Sequence, residues 1–371
     1  MNKNTLLKVM AGILCMVLMA AGGDTRAQKL TASEYPSLIS AIRQESPLFF
    51  CDEKVPLDQQ TVRERFEKEL LLSLWDRAQA ILWMKRASRY FPHIEKMLKQ
   101  HQLPADLKYV AIVESALQPH VGSSKGALGF WQFTKSTGRN YGLTINSEID
   151  ERRNIFTATN AAMTYFKALY DLFGSWALAA AAYNVGENRI ETEIIIQQSR
   201  DYYQLYLPLE TQRYIFKVIA AKLILSDPGK YGFDLGEKDT YPRLQFDRVQ
   251  LEIGQKVPIQ VIAQAAETNF KAIKDLNPQI RGYYLGEGTH EILVPKGAGK
   301  AFHLRYEQLL GQWIKEREKS LYVVQKGDNL SSIANRFNVP LNALLIWNEA
   351  VGMNADIYPG DQLTVYPNQQ K

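Results

Sequence analysis

Residues 103–117 read LPADLKYVAIVESAL, and the apolar positions Leu103, Leu107, Val110 and Leu117 fall on one face of a 3.6-period helix. Glu114 occupies the missing place in that series, four residues after Val110 and three before Leu117. Pro104 suits a first helical turn and Pro119 closes the segment. A carboxylate facing a packed interior is costly to ionise, so its pKa rises and it can keep a proton near neutrality. A general acid needs that property. The competing reading puts Glu114 at the edge of the stripe, reaching solvent or a cation, as most glutamates do. Its surroundings decide between the two.

Working outward, the flanking blocks are also helical. Residues 28–90 are charged, periodic and free of Gly. Their apolar face runs through Leu70, Leu71, Leu74 and Trp75 and is expected to continue through Ala78, Ile81 and Leu82. Asn154 precedes an apolar-periodic run over 155–173 that Gly174 stops. WALAAAAYN at 176–184 is an alanine-rich helix ending near Gly186, and its small residues place it at the centre of a bundle. Another helix is expected over 209–225, before the Asp227-Pro228-Gly229 turn.

After Tyr231 strand-like and short helical pieces alternate, and two segments resemble each other. Ile262-Ala263 matches Ile333-Ala334, Leu276-Asn277 aligns near Trp347-Asn348, and both copies end on a strand with Pro. This reads as an internal strand–helix–helix–strand repeat, with chance similarity of two helical hairpins as the alternative. The chain is therefore expected to be mainly α. A helical block spans 91–235, a first repeat 236–300, a linking helix 301–320 and a second repeat 321–367.

The first residues stand apart. Lys3 and Lys8 precede the apolar run ILCMVLMAA at 13–21, and Thr25-Arg26-Ala27 offers small residues at a cleavage site. Residues 1–27 read as a secretory signal, with an uncleaved anchor as the alternative. Cys15 follows Leu14 rather than a small residue, which argues against a lipidated cysteine. Removing the leader leaves only Cys51, so no intrachain disulfide can form. It also lowers a formal charge of +5 slightly, and so mild an excess is not the dense basic patch of a nucleic-acid binder. With five histidines and no HxxxH pair, neither a metal site nor another cofactor is expected.

Three clusters accompany Glu114-Ser115. Gly126–Phe133 (GALGFWQF) combines a glycine turn with Trp131, a flat face for a sugar ring, and Gln132, an amide that can orient a carbonyl or hydroxyl. Ala182–Gly186 (AYNVG) adds Tyr183 and Asn184, and Leu209-Glu210-Thr211 is followed by Tyr214. In this order they resemble the catalytic domain of soluble lytic transglycosylases, in the goose-type lysozyme superfamily. With the C-terminal repeat, the chain looks like the D-type membrane-bound lytic murein transglycosylases. It departs from many relatives in carrying Phe130-Trp131 before the Gln, and it lacks a lipobox.

The resemblance implies a lysozyme-like helical fold acting on peptidoglycan glycan strands at the periplasmic side of a cell envelope. Association with the membrane or other cell-wall enzymes is compatible with it. Glu114 would protonate the glycosidic oxygen between N-acetylmuramic acid and N-acetylglucosamine. Once ionised, it would take the proton of the muramyl 6-hydroxyl as that oxygen attacks C1, giving a 1,6-anhydro sugar. No Asp or Glu occurs between Glu114 and Glu148, which modestly favours a single-carboxylate mechanism over the usual pair. Ser115, Gln132, Asn184 and Tyr214 are the substrate-positioning candidates, with Tyr183 closer to packing. A water-using hydrolase and a non-catalytic glycan-binding wall protein remain the alternatives.

Residues 322–367 resemble a LysM module, which binds N-acetylglucosamine-containing glycans. Gly327-Asp328-Asn329-Leu330 form a strand-to-helix turn with a cap, and Asn348 and Ile357-Tyr358-Pro359-Gly360 supply the facing loop. The first repeat has Gly254-Gln255-Lys256 in place of the Gly-Asp turn, so it is expected to bind glycan weakly or not at all.

Overall fold

The computed structural model describes residues 37–43, 47–351 and 356–366. The leader expected over 1–27, Cys15 and the closing Pro367 lie outside the described residues. Among the described residues no helix is long and apolar enough to cross a membrane.

A short helix, α1 (Leu38–Ile42), and a two-strand hairpin, β1 (Phe49–Phe50) with β2 (Glu53–Lys54), come first. The helical body follows as α2 (Gln60–Trp75), α3 (Arg77–Gln100), α4 (Lys108–Ser115), α5 (Lys135–Asn140), α6 (Ile155–Phe173), α7 (Trp176–Val185), α8 (Glu187–Gln197) and α9 (Leu209–Ser226). One hydrophobic core draws on residues from Ala41 to Phe233, so the helices before residue 91 share an interior with those after it. Helix α2 lies along α9, where the Arg213 guanidinium meets the buried Glu69 carboxylate at 2.5 Å.

The alanines of α7, Ala179 to Ala182, are fully buried, as the small-residue reading expects. Ser175 caps this helix, and Glu53 of the hairpin accepts from the Trp176 and Ala177 amides. Next to Glu53, Cys51 is buried in a left-handed backbone conformation, and its N–H donates to the Asp106 carboxylate at 2.7 Å. The continuous apolar face expected from Leu70 to Leu82 is not found. Asp76 ends α2 and caps α3 through the Gln79 amide, which turns Trp75, Ala78 and Ile81 outward. The inward positions of α3 are Ala80, Met84, Ala87, Ile94 and Leu98.

The first repeat comprises β3 (Phe246–Ile253), β4 (Val257–Pro258), α10 (Ile259–Ala265), α11 (Phe270–Leu276), β5 (Tyr284–Leu285) and β6 (Gly288–Pro295). Strands β3 and β6 pair antiparallel from Phe246↔Pro295 to Ile253↔Gly288. Helix α12 (Phe302–Lys319), expected as a link, buries Phe302 and Tyr306 in this repeat's core. The second repeat is β7 (Leu321–Val323), α13 (Leu330–Arg336), α14 (Leu341–Trp347) and β8 (Gln362–Thr364), with β7 and β8 antiparallel around a core of its own.

The two units share one internal brace. Asn277 accepts from the Leu293 amide and donates to the carbonyls of Ile273 and Leu293. Asn348 does the same with Thr364 and Leu344. Identical bonding at the aligned asparagines makes the repeat structural rather than a chance similarity of sequence. A crevice of about 580 Å³ between the units is lined by Tyr284, Trp313, Trp347 and Tyr366.

Candidate active site

Glu114 stands in the last turn of α4. The helix stops there because Ala116 and Leu117 both take left-handed backbone, φ 51° and 57°, a conformation costly for residues with side chains. Glu114 is half-buried, with part of it open to solvent. Tyr214, on α9 and almost fully buried, donates its hydroxyl to Glu114 Oε1.

Burial raises the Glu114 carboxyl from its ordinary 4.5 to about 7; the Tyr214 hydrogen bond opposes the rise, while the Glu210 carboxylate adds to it. The end of a helix, where free carbonyls gather, also disfavours a negative charge. Burial likewise raises the phenols of Tyr183 and Tyr214, and the nearby Glu114 carboxylate adds to both shifts. Each phenol therefore stays a proton donor at neutral pH.

A cavity of about 380 Å³ is lined by Gln132, Phe133, Tyr183, Asn184, Glu210 and Thr211, with Lys125, Tyr165 and Glu187 on its wall. Asn184 leaves the end of α7 and accepts from Thr211 Oγ1 at 2.9 Å. Gln132 sits in left-handed backbone, φ 49°, and donates Nε2 to the carbonyls of Val121 and Gly129 at 2.7 and 2.9 Å. Its amide nitrogen thus closes its own loop and its oxygen is left for other use. Tyr183 stacks on Phe166 at 4.5 Å and donates to the Trp131 carbonyl at 2.6 Å, so it both packs and lines the cavity.

Two expectations change. Ser115 does not face a sugar: it is buried and donates to the Phe130 carbonyl at 2.8 Å, tying the end of α4 to the 126–133 loop. Trp131 is not a platform either, being fully buried with Nε1 donating to Thr159 Oγ1 at 3.0 Å. Sequence reading passes over Tyr165 and Glu187, which share a hydrogen bond of 2.8 Å. Glu187 directly follows AYNVG and could have been found there; Tyr165, inside an apolar helix, carries no local signal.

In the second repeat the Gly360 amide donates to the Val324 carbonyl at 2.9 Å, which ties the 357–360 loop to the segment between β7 and the Gly327 turn. Gly327 and Gly360 have φ of 91° and 101°, which a side chain would resist. Asp328 is spent inside its loop on the Tyr322 hydroxyl, the Gln325 amide and Arg336. Asn329 caps α13 reciprocally with Ser332. Leu330 is buried, and Asn348 is the internal brace rather than part of the facing loop. Ile357 packs partly on the core, and Tyr358 is exposed.

Residues 91–206 match the family described as the transglycosylase SLT domain, residues 245–310 the lytic transglycosylase MltD LysM-like domain, and residues 322–365 the LysM domain. The three matches follow one another along the chain without overlap. Over 297 residues it is 34% identical to the membrane-bound lytic murein transglycosylase D of Escherichia coli K12, covering 76% of this chain and 64% of that protein. It therefore spans a little under two thirds of that relative's length. It is 41% identical over 86 residues to the peptidoglycan transglycosylase gp16 of Escherichia phage T7, covering 23% of this chain and 6% of that one. Among solved structures, the 70 kDa soluble lytic transglycosylase of Escherichia coli aligns with a TM-score of 0.35 at 22% identity, over 49% of this chain and 32% of its own.

Proposed function

We propose that this chain is a peptidoglycan lytic transglycosylase that cuts the β-1,4 bond between N-acetylmuramic acid and N-acetylglucosamine and leaves a 1,6-anhydromuramyl end. The observation that carries the reading is Glu114, an acid whose carboxyl is raised to about 7 and which interacts electrostatically with Glu210 and Tyr183 on the wall of the cavity. Protonated Glu114 delivers its proton to the glycosidic oxygen. As the carboxylate forms, the Tyr214 hydroxyl stabilises it, so the same group can accept the proton of the muramyl 6-hydroxyl. The Gln132 oxygen accepts from a sugar hydroxyl, and the Asn184 amide nitrogen donates to an acetamido carbonyl. In the second repeat, the backbone of Gly327–Leu330 and Ile357–Gly360 would hold acetamido groups of the polymer. An envelope location, behind a leader at 1–27, belongs to the same reading.

A hydrolytic outcome is the second reading, favoured by Glu210. This exposed carboxylate on the cavity wall is near enough to raise Glu114 and could activate water. Mass spectrometry of the released muropeptides separates the two. Products lighter by one water than reducing-end fragments support the transglycosylase, and reducing-end muramic acid as the main product overturns it.

A further inference from the structure

The first repeat is seated on the helical body through a loop that leads to the cleft. The Asp150 amide donates to the Gln279 carbonyl and the Arg281 amide to the Glu148 carbonyl, each at 2.8 Å, around an antiparallel bridge of Ile149 with Ile280. Ile149 packs against the core of the first repeat rather than that of its own body. One residue on, Asp150 grips Arg152 through bonds of 2.8 and 2.7 Å, with both side chains buried. Arg152 passes the link to the two ends of the cleft loop, donating to the carbonyls of Gly126 and Phe133 at 2.9 and 3.1 Å. Its backbone also presses on the middle of that loop: a Cβ on Gly129 would stand 1.9 Å from the Arg152 carbonyl oxygen. This loop carries Gln132, and its Phe130 carbonyl holds Ser115 next to Glu114.

We propose that the first repeat is a positioning unit for the cleft, in which seating Ile149 sets Asp150 and Arg152 and, through them, the 126–133 loop beside Glu114. It gives a task to a unit whose sequence lacks the Gly-Asp turn of glycan recognition. Ile149, Asp150 and Arg152 touch no substrate; they act through the loop, and the inference rests on reading Glu114 as the acid.

The test uses the full chain with Ile149→Asp, which unseats the plug without touching the helical core, and Ile149→Val, which keeps it. Amide hydrogen exchange at Asp150 and Arg281 reports whether the dock has opened. The expected result for Ile149→Asp is faster exchange there and, together with it, over 126–133, while α7 stays protected. On a short soluble glycan fragment, kcat should fall on the order of tenfold from misplaced groups while KM stays within about twofold. Ile149→Val should match the parent in both measurements. If Ile149→Asp leaves the dock closed, Arg281→Pro, which deletes the donor to Glu148, is measured with the Asp150 amide alone as the reporter of the dock. An opened dock with the 126–133 amides still protected and kcat near the parent's overturns the proposal. A parent chain with no lytic activity would instead refute the function of Glu114, and the exchange comparison would still decide the coupling.

Discussion

Two neighbours, Tyr214 and Glu210, set how tightly Glu114 holds its proton, and each has its own signature in a pH profile. Glu114→Gln removes the proton but keeps the shape and the Tyr214 bond. Wall-degrading activity should fall about a hundred- to ten-thousandfold, with the circular dichroism spectrum unchanged. In the parent, the rate should decline as pH rises through about 7, where the acid loses its proton. Tyr214→Phe deletes the bond that favours the ionised carboxylate and should move this alkaline limb upward. Glu210→Gln removes the like charge and should move it downward. The same carboxyl bears on stability. Its folded pKa of about 7 exceeds the ordinary 4.5, so the contribution of the protonated form is whole below about pH 4.5 and is lost as pH rises through about 7. Glu114→Gln should therefore be more stable than the parent at pH 8, by about 1–3 kcal/mol after allowing for its open side, which thermal melts would show. Glu114 was legible because a gap in a helical stripe is a local pattern. The fates of Ser115 and Trp131 were not, because periodicity does not say whether a hydroxyl or an indole turns toward a cavity or toward a neighbouring element.

The helices with clear caps and stops are also those that could be read from sequence. Asn154 and Gly174 bound α6, and Gly186 ends α7, because caps act within one turn. The break at Asp76 was missed since the apolar spacing runs across it, and only the cap on Gln79 marks two helices. The 126–133 loop shows how elements bind each other through contacts far apart in sequence. Gly129 combines φ of 83° with the Arg152 carbonyl hard against it. Gly129→Ala should cost about 2–4 kcal/mol in urea unfolding, since both the backbone and its neighbour must shift. Arg152→Met leaves the buried Asp150 carboxylate without its partner and should cost about 3–5 kcal/mol in the same measurement. Burial alone would raise the Asp150 carboxyl, and the Arg152 bonds hold it below the usual range. Nothing in the sequence ERR at 151–153 announces that pair, because its worth comes from carbonyls of the 126–133 loop.

At the scale of the whole molecule, an acid-bearing helical body is joined to two repeats with different loops. Deleting 320–371 should lower retention on insoluble sacculi about tenfold or more while leaving cleavage of short soluble fragments near the parent level, because tethering helps only a polymer that reaches both sites. Equal loss on both substrates would make the second repeat structural. The repeat was legible in sequence because both copies place an Asn at the end of their second helix. The seating of Ile149 in the first copy was not, because that contact joins segments more than a hundred residues apart in the chain. Cys51 has a consequence of its own. Burial first, and then the Asp106 carboxylate, push its thiol pKa up, so the folded chain offers no thiolate to an oxidant or alkylating reagent. Only an opened molecule can be trapped there, and the rate at which the peptide containing Cys51 gains an alkyl label would clock the spontaneous unfolding of the native protein without denaturant or an engineered probe.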